Sequence, residues 1–190
     1  MDAHTIYENV LQLKARLALG NPFGETVALV AATKMQDAEA INAAIAAGVD
    51  AVAENRVQEF TAKTQLLSPC PQHFIGHLQT NKVKYLGGKS ALFHSCDRYD
   101  LAQEIARVSL QRGVVSNVLI QVNIGEESTK GGFHLAEAKL AYQRIKAMDG
   151  VRVKGFMAML PNSDNEAMLI SLAKRMRALF DEVRAEDSEV

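Results

Sequence analysis

The chain has 190 residues, of which 48% are hydrophobic and 23% charged, with 21 basic and 22 acidic side chains and a formal net charge of -1 at pH 7. This composition is typical of one ordinary globular domain with a substantial core, and it excludes the disordered and strongly basic classes of protein. So small a net charge provides no overall field that would attract nucleic acid or an anionic membrane.

The first predicted element is a helix. Thr5 followed by Glu8 has the pattern of a capping box, which predicts a helix start at Thr5. We predict that the helix ends near Gly20, where Asn21 and Pro22 continue a turn. Apolar side chains at helical spacing support this assignment: Ile6, Val10, Leu13 and Leu17.

After this helix the chain repeats one pattern, in which a short apolar strand is followed by a polar turn and an amphipathic helix. Asp37 is predicted to cap the helix after the first strand, and Gly48 and Gly113 fall where two helices should end. Apolar stripes over residues 135–148 and 169–183 predict the last two helices. The predicted strands are residues 27–32, 51–53, 73–75, 91–94, 118–124 and 151–160.

Alternating strands and helices predict an α/β fold with a parallel sheet and right-handed crossovers. Periodicity does not distinguish an open sheet from a closed barrel. A complete eight-stranded barrel takes about 250 residues, so the six predicted strands indicate an incomplete barrel or an open sheet.

Lys34 closes the segment TVALVAATK, residues 26–34, in which an almost wholly apolar run ends in one basic side chain. Such a run predicts a strand covered on both faces. Ligands bind beyond the carboxyl ends of the strands in parallel sheets, so position makes Lys34 a candidate functional residue. Its available chemistry is imine formation, which requires the neutral amine. The alternative is a lysine that simply extends into solvent.

Polar side chains also follow the other predicted strands, and we expect them to share one rim with Lys34. Each alone is ordinary, because strand ends adjoin turns and turns favour Asn, Ser and Gly. Their collection around one lysine is less ordinary. These residues are Thr33, Glu54, Asn55, Gly76, His77, Ser95, Asp97, Asn123 and Met157.

Six blocks of sequence, in order along most of the chain, carry a family resemblance. They are LVAATK ending at Lys34, AENRVQE at 53–59, HFIGHLQTNK at 73–82, HSCD at 94–97, IQVNIGEESTKGGF at 120–133 and GFMAM at 155–159. Together they resemble the pyridoxal phosphate homeostasis proteins. The resemblance implies a TIM-barrel-like fold of the alanine racemase N-terminal domain type, here with six of eight strands, as a single domain over residues 1–190.

By this resemblance Lys34 would hold pyridoxal 5'-phosphate (PLP) as a Schiff base, with Asn55, Asn81, Ser95 and Met157 as further cofactor-binding residues. Asn and Ser offer hydrogen bonds and Met a soft apolar contact, although a turn or packing role is equally typical of each. The implied function is non-enzymatic PLP binding in intracellular PLP homeostasis. The implied partners are PLP and apo-PLP enzymes, and the implied state is a monomer or weak homodimer.

The chain departs from the family's pattern in two respects. Ala53, Arg56 and Gln72 stand where the family usually has glycine, tyrosine and tryptophan. The Ser-Met-Gly-Met-Ser segment and Arg-x-Gly strand that supply the family's phosphate site do not occur, so we expect weak cofactor affinity. Two alternatives therefore stay open: a PLP-dependent racemase-like enzyme, and a degenerate barrel that has lost cofactor binding.

We predict no metal site. His73 and His77 are four residues apart, but their segment is predicted to be strand and turn rather than helix. Cys70 and Cys96 lack the spacing of a metal knuckle and have no evident redox partner. No signal sequence and no apolar run near the ~20 residues that cross a bilayer are present, so we expect a cytoplasmic location without membrane contact.

Overall fold

The computed structural model of the protein describes residues 2–190, which divide into two compact units. The first unit extends to Ile75, and the second is Gly76–Val190. Each unit contains three parallel strands that alternate with helices, so all six predicted strands are found among the described residues. The single domain over residues 1–190 stays a prediction.

The first unit has its strands in the order β1-β2-β3, with Ala32 opposite Ala53 where the first two strands pair. Buried apolar residues form its core, namely Val10, Ile41, Ala44, Ala47, Val49 and Val52. Its elements are α1 (Ala3–Leu17), β1 (Val30–Ala32), α2 (Ala38–Ala46), β2 (Ala51–Glu54), α3 (Val57–Lys63) and β3 (Gln72–Phe74).

The start of α1 differs from the prediction. The N-cap is Asp2, whose carboxylate accepts hydrogen bonds from the Thr5 amide at 2.9 Å and the Thr5 hydroxyl at 2.8 Å. The capping box at Thr5 and Glu8 was therefore wrong. An aspartate at the N-cap satisfies a free amide of the first turn and places negative charge at the positive end of the helix dipole. The predicted N-cap and stop of α2 are confirmed, since Asp37 accepts from the Ala40 amide and Gly48, with φ +94°, follows the C-cap Ala47.

The first strand is shorter and less buried than predicted. It covers only Val30–Ala32, with Ala32 exposed and the other two residues half-buried, so coverage on both faces was wrong. Within the first unit β1 lies at the edge of its three strands. Before it, the Leu29 amide donates to the Asp50 carboxylate at 2.6 Å instead of to a strand, and Val27 is 43% exposed.

The second unit has its strands in the order β4-β5-β6. Its largest core side chains are at most 1% exposed, and they include Phe93, Leu101, Ile105, Ile120 and Ile145. Burying one such side chain contributes about 1.5–3 kcal/mol to stability. Its elements are α4 (Val83–Leu86), β4 (Leu92–Cys96), α5 (Tyr99–Gln111), β5 (Ser116–Gln121), α6 (Leu135–Lys146), β6 (Val151–Met157) and α7 (Glu166–Glu186). No helix within residues 2–190 is both long enough and apolar enough to cross a bilayer.

The residue after α7, Asp187, ties this helix to α6. Its carboxylate accepts hydrogen bonds from the Lys146 ammonium and the Tyr142 hydroxyl. These two contacts, the lysine first, lower the pKa of Asp187 to about 2. A carboxyl with a depressed pKa in the folded protein contributes stability that is present above its unfolded pKa of ~3.9 and lost as the pH falls through the folded value.

We therefore expect the protein to lose stability between about pH 4 and pH 2 more steeply than its Asp187→Asn variant. Urea unfolding monitored by circular dichroism across this range measures the difference. Asp149→Asn is the matched control, because Asp149 is exposed and makes no ion pair within the described residues. Equal slopes for Asp187→Asn and the unmodified protein would contradict the expectation.

Candidate functional site

Lys34 lies two residues beyond the end of β1, and its side chain is exposed. The residue before it, Thr33, is only 4% exposed. The Thr33 amide donates to the Ala53 carbonyl at 2.9 Å, which continues the β1–β2 ladder to the residue that precedes the lysine. The Thr33 hydroxyl lies 2.9 Å from Glu54 Oε1. Lys34 thus projects from a backbone that is fixed on its N-terminal side.

The residue after Lys34 is fixed in a different way. Met35 has φ +62°, a left-handed conformation that costs a residue with a side chain roughly 1–2 kcal/mol. Its amide donates a hydrogen bond to Glu59 Oε2 at 3.0 Å, and Glu59 lies on α3. This bond helps to hold the chain in the sharp bend that follows the lysine.

A half-buried lysine on α3, Lys63, contacts groups that fix the chain on both sides of Lys34. Lys63 Nζ lies 2.7 Å from Glu54 Oε1, 2.8 Å from Glu59 Oε2 and 3.2 Å from the Thr33 carbonyl oxygen. The side chains of Lys63 and Glu54 are only 15% and 7% exposed. We name these four residues, Thr33, Glu54, Glu59 and Lys63, the Lys63 network.

The Lys63 network places one ammonium group between two carboxylates. Burial acts to lower the pKa of the Lys63 amine, but the hydrogen bonds and charges of Glu54 and Glu59 outweigh burial and raise that pKa. The Lys63 ammonium and the Met35 amide hold the pKa of Glu59 below its usual value. Lys63 is therefore a fixed ammonium at neutral pH.

Two buried oxygen atoms, one in this network and one next to it in the chain, have no hydrogen-bond donor among residues 2–190. Asn55 follows β2 as Lys34 follows β1, and its Oδ1 atom is buried without a partner within the described residues. Glu54 Oε2 is in the same state. A buried acceptor left without a donor costs about 1–3 kcal/mol, so both atoms favour a ligand or water that donates a hydrogen bond.

The other three predicted cofactor residues belong to the second unit. Ser95 is 3% exposed and donates its hydroxyl hydrogen to the Gly76 carbonyl oxygen. Met157 ends β6 and is half-buried, and its carbonyl oxygen accepts from the Val122 amide at 2.8 Å. Asn81 is exposed in the 3-10 turn Thr80–Lys82. The cofactor contacts of these three residues stay predictions.

The structure also reveals a pairing that the sequence did not predict. His77 Nδ1 lies 3.1 Å from Asp97 Oδ2, and Arg98 Nη1 donates to Asp97 Oδ1 at 2.6 Å. The side chain of His77 is 67% exposed and that of Asp97 only 4%.

The neighbouring Cys96 is fully buried. This burial together with the charge of Asp97 raises the pKa of the Cys96 thiol to about 12, so Cys96 is not a reactive cysteine.

Sequence reasoning also missed Lys63. The available signal was the Glu59–Lys63 spacing of i,i+4 at the end of a predicted helix, which predicts an ordinary surface ion pair. The contacts of Lys63 with Glu54 and the Thr33 carbonyl depend on how α3 packs over the ends of β1 and β2, and no local pattern encodes that packing.

One family model and a set of curated relatives match most of the chain. The model of the alanine racemase N-terminal domain matches residues 1–189. The pyridoxal phosphate homeostasis protein of Aquifex aeolicus is 40% identical over 166 residues, which cover 86% of this chain and 73% of the relative.

Two solved structures show the same fold. A protein from Bifidobacterium adolescentis has a TM-score of 0.91 at 31% identity, over 98% of this chain and 83% of the other. PipY of Synechococcus elongatus, with PLP bound, has a TM-score of 0.82 at 26% identity, over 97% of this chain and 84% of the other. The predicted TIM-barrel-like fold of the alanine racemase N-terminal domain type is therefore confirmed. By the family model and these relatives, the chain belongs to the alanine racemase N-terminal domain family and, within it, to the pyridoxal phosphate homeostasis proteins.

Proposed function

We propose that this protein is a non-enzymatic PLP-binding protein of PLP homeostasis that holds the cofactor as a Schiff base on Lys34. The observation that carries the proposal is the exposed Lys34 amine at the carboxyl end of β1, with a neighbour held in place on either side. The names of the curated relatives and the PLP bound to PipY support the same ligand.

The residues beside Lys34 fit this ligand. PLP has a pyridine nitrogen and a phenolic oxygen that can each carry a hydrogen. Asn55 Oδ1 and Glu54 Oε2 are buried acceptors that have no donor in the part of the chain that the structure describes. Of the two, we assign Asn55 as the cofactor contact, since Glu54 already uses its other oxygen for Lys63 and Thr33.

Each side chain has a defined role in this proposal. PLP supplies an aldehyde carbon, and the Lys34 amine adds to it in its neutral form with loss of one water molecule. Ser95 gives its hydroxyl hydrogen to Gly76, so towards a ligand its oxygen can only accept. Met157 would offer an apolar contact and Asn81 a polar one.

We infer binding rather than catalysis. Racemisation at a PLP site needs a second acid–base group on the opposite face of the cofactor, and the curated relatives are named for homeostasis rather than for a reaction. Apo-PLP enzymes are the partners that such a protein would serve, and the cytoplasm is where it would meet them. Both of these statements belong to the proposal, as does a monomer or weak homodimer.

Trapping tests the attachment directly. The protein mixed with PLP is expected to develop the absorbance band of an imine, and borohydride followed by proteolysis and mass spectrometry is expected to place the reduced adduct on Lys34. Attachment elsewhere, for instance at Lys82 or Lys130 within the resembling blocks, would contradict the proposal. Alanine racemisation is measured on the same preparation, and turnover above background would favour an enzyme instead.

A further inference from the structure

We infer that Lys63 is a positioning residue, which fixes the backbone on both sides of Lys34 and thereby sets the reach of the Lys34 amine towards its aldehyde. This inference rests on the proposed function. Lys63 does not itself react in this account. It acts through Thr33, which precedes the reactive residue, and through Met35, which follows it.

The contacts of Lys63 converge on these two neighbours. Its ammonium donates to the Thr33 carbonyl oxygen at 3.2 Å, and it holds Glu54 Oε1, which the Thr33 hydroxyl also contacts at 2.9 Å. On the other side it holds Glu59 Oε2 at 2.8 Å, and that atom accepts the Met35 amide at 3.0 Å. The single Lys63 ammonium is therefore connected to the residue before Lys34 directly and to the residue after it through Glu59.

A purely stabilising ion pair is the competing explanation. Burying an ion pair removes two charges from water, and that cost often equals or exceeds the attraction gained, so burial of Lys63 with Glu54 is weak evidence for a stabilising role. The left-handed Met35 is a further cost that the Glu59 contact offsets. The strained Met35 lies directly after Lys34, and the buried ion pair contacts Thr33 directly before it, where a defined geometry affects imine formation.

The chain contains a second, more exposed ion pair at the other end of the same strand. Lys14 Nζ lies 3.0 Å from both carboxylate oxygens of Asp50, and Asp50 accepts the Leu29 amide at 2.6 Å. This pair also fixes β1 through a lysine and a carboxylate, but at its N-terminal end. Lys14→Met therefore removes an anchor of the same strand without touching the residues next to Lys34.

The experiment compares Lys63→Met, Lys63→Arg and Lys14→Met. PLP titration of the imine band is expected to give an apparent dissociation constant raised at least about tenfold by Lys63→Met. Lys63→Arg should recover part of that loss because it keeps a charged donor, and Lys14→Met should leave the constant unchanged. Urea unfolding of each variant separates loss of affinity from loss of folded protein.

A second variant covers the case in which Lys63→Met does not fold. Glu59→Leu keeps the Lys63–Glu54 contact but removes the acceptor of the Met35 amide, and Glu59 is 23% exposed, so the cost to folding is smaller. We expect Glu59→Leu also to raise the apparent dissociation constant for PLP. Hydrogen exchange supplies a readout without cofactor: Lys63→Met and Glu59→Leu should speed exchange at residues 33–36, whereas Lys14→Met should not.

The possible outcomes separate the two proposals. If the unmodified protein forms the Lys34 adduct and folded Lys63→Met forms it with the same dissociation constant, Lys63 is only structural and the PLP-binding function stands. If the unmodified protein forms no adduct, the proposed function fails. Unchanged exchange at residues 33–36 in both Lys63→Met and Glu59→Leu would overturn the positioning role in either case.

Discussion

Lys34→Ala is expected to abolish the imine band and the borohydride-trapped adduct completely. A Schiff base needs a primary amine, and alanine offers none. Because the Lys34 side chain is exposed, its removal should change the free energy of unfolding by no more than about 0.5 kcal/mol. A variant that folds normally and forms no adduct would thus assign the chemistry to this one nitrogen.

Two further variants sharpen this expectation. Lys34→Arg keeps the positive charge but cannot form the imine, so it should also lose the adduct. This result would show that the adduct depends on the amine itself and not only on attraction between a positive charge and the anionic ligand. Lys174→Ala removes an exposed lysine from α7 and should behave as the unmodified protein does. If Lys34→Ala retains the band at full amplitude, the attachment lies on another lysine and the assignment is wrong.

Gly132→Ala is expected to destabilise the protein by roughly 2–5 kcal/mol. Gly132 has φ +123°, and an added Cβ would lie 2.7 Å from the Asn123 amide nitrogen, 3.0 Å from the Val122 carbonyl carbon and 3.1 Å from the Gln121 carbonyl oxygen. All three are backbone atoms at the end of β5, so no side chain can rotate away to make room.

The segment that contains Gly132 pairs with that strand end. The Phe133 amide donates to the Gln121 carbonyl at 2.9 Å, and the Asn123 amide donates to the Phe133 carbonyl at 3.0 Å. Moving the backbone to accept a methyl group would break or lengthen both bonds. Urea unfolding and the thermal midpoint measure the loss.

Gly113→Ala is the matched control for this prediction. Gly113 also has positive φ, at +64°, but no atom of the described residues lies within 4 Å of an added Cβ. Substituting alanine there should cost only the strain of a left-handed backbone conformation, roughly 1–2 kcal/mol. If the two variants lose the same stability, steric contact at β5 is not the cause and the expectation for Gly132 is wrong.

Local patterns in the chain account for the elements that were predicted correctly. The six strands and the helices between them follow from the spacing of apolar residues, and the cap at Asp37 and the stop at Gly48 follow from the chemistry of single residues. One error was local in origin and the other was not. Asp2 outcompeted Thr5 as the N-cap of α1, and the apolar run before Lys34 became a short edge strand because Asp50 takes the Leu29 amide.

The sequence by itself determined the alternation of strands and helices, the family and the candidate nucleophile Lys34, because each depends on residues close together in the chain. Only the tertiary structure decided what surrounds that lysine. Thr33 and Lys63 are thirty positions apart, and the contact between them exists because α3 packs over the ends of paired strands. Hydrophobic periodicity specifies which face of an element is buried, but it carries no information on which charged groups from different elements then meet.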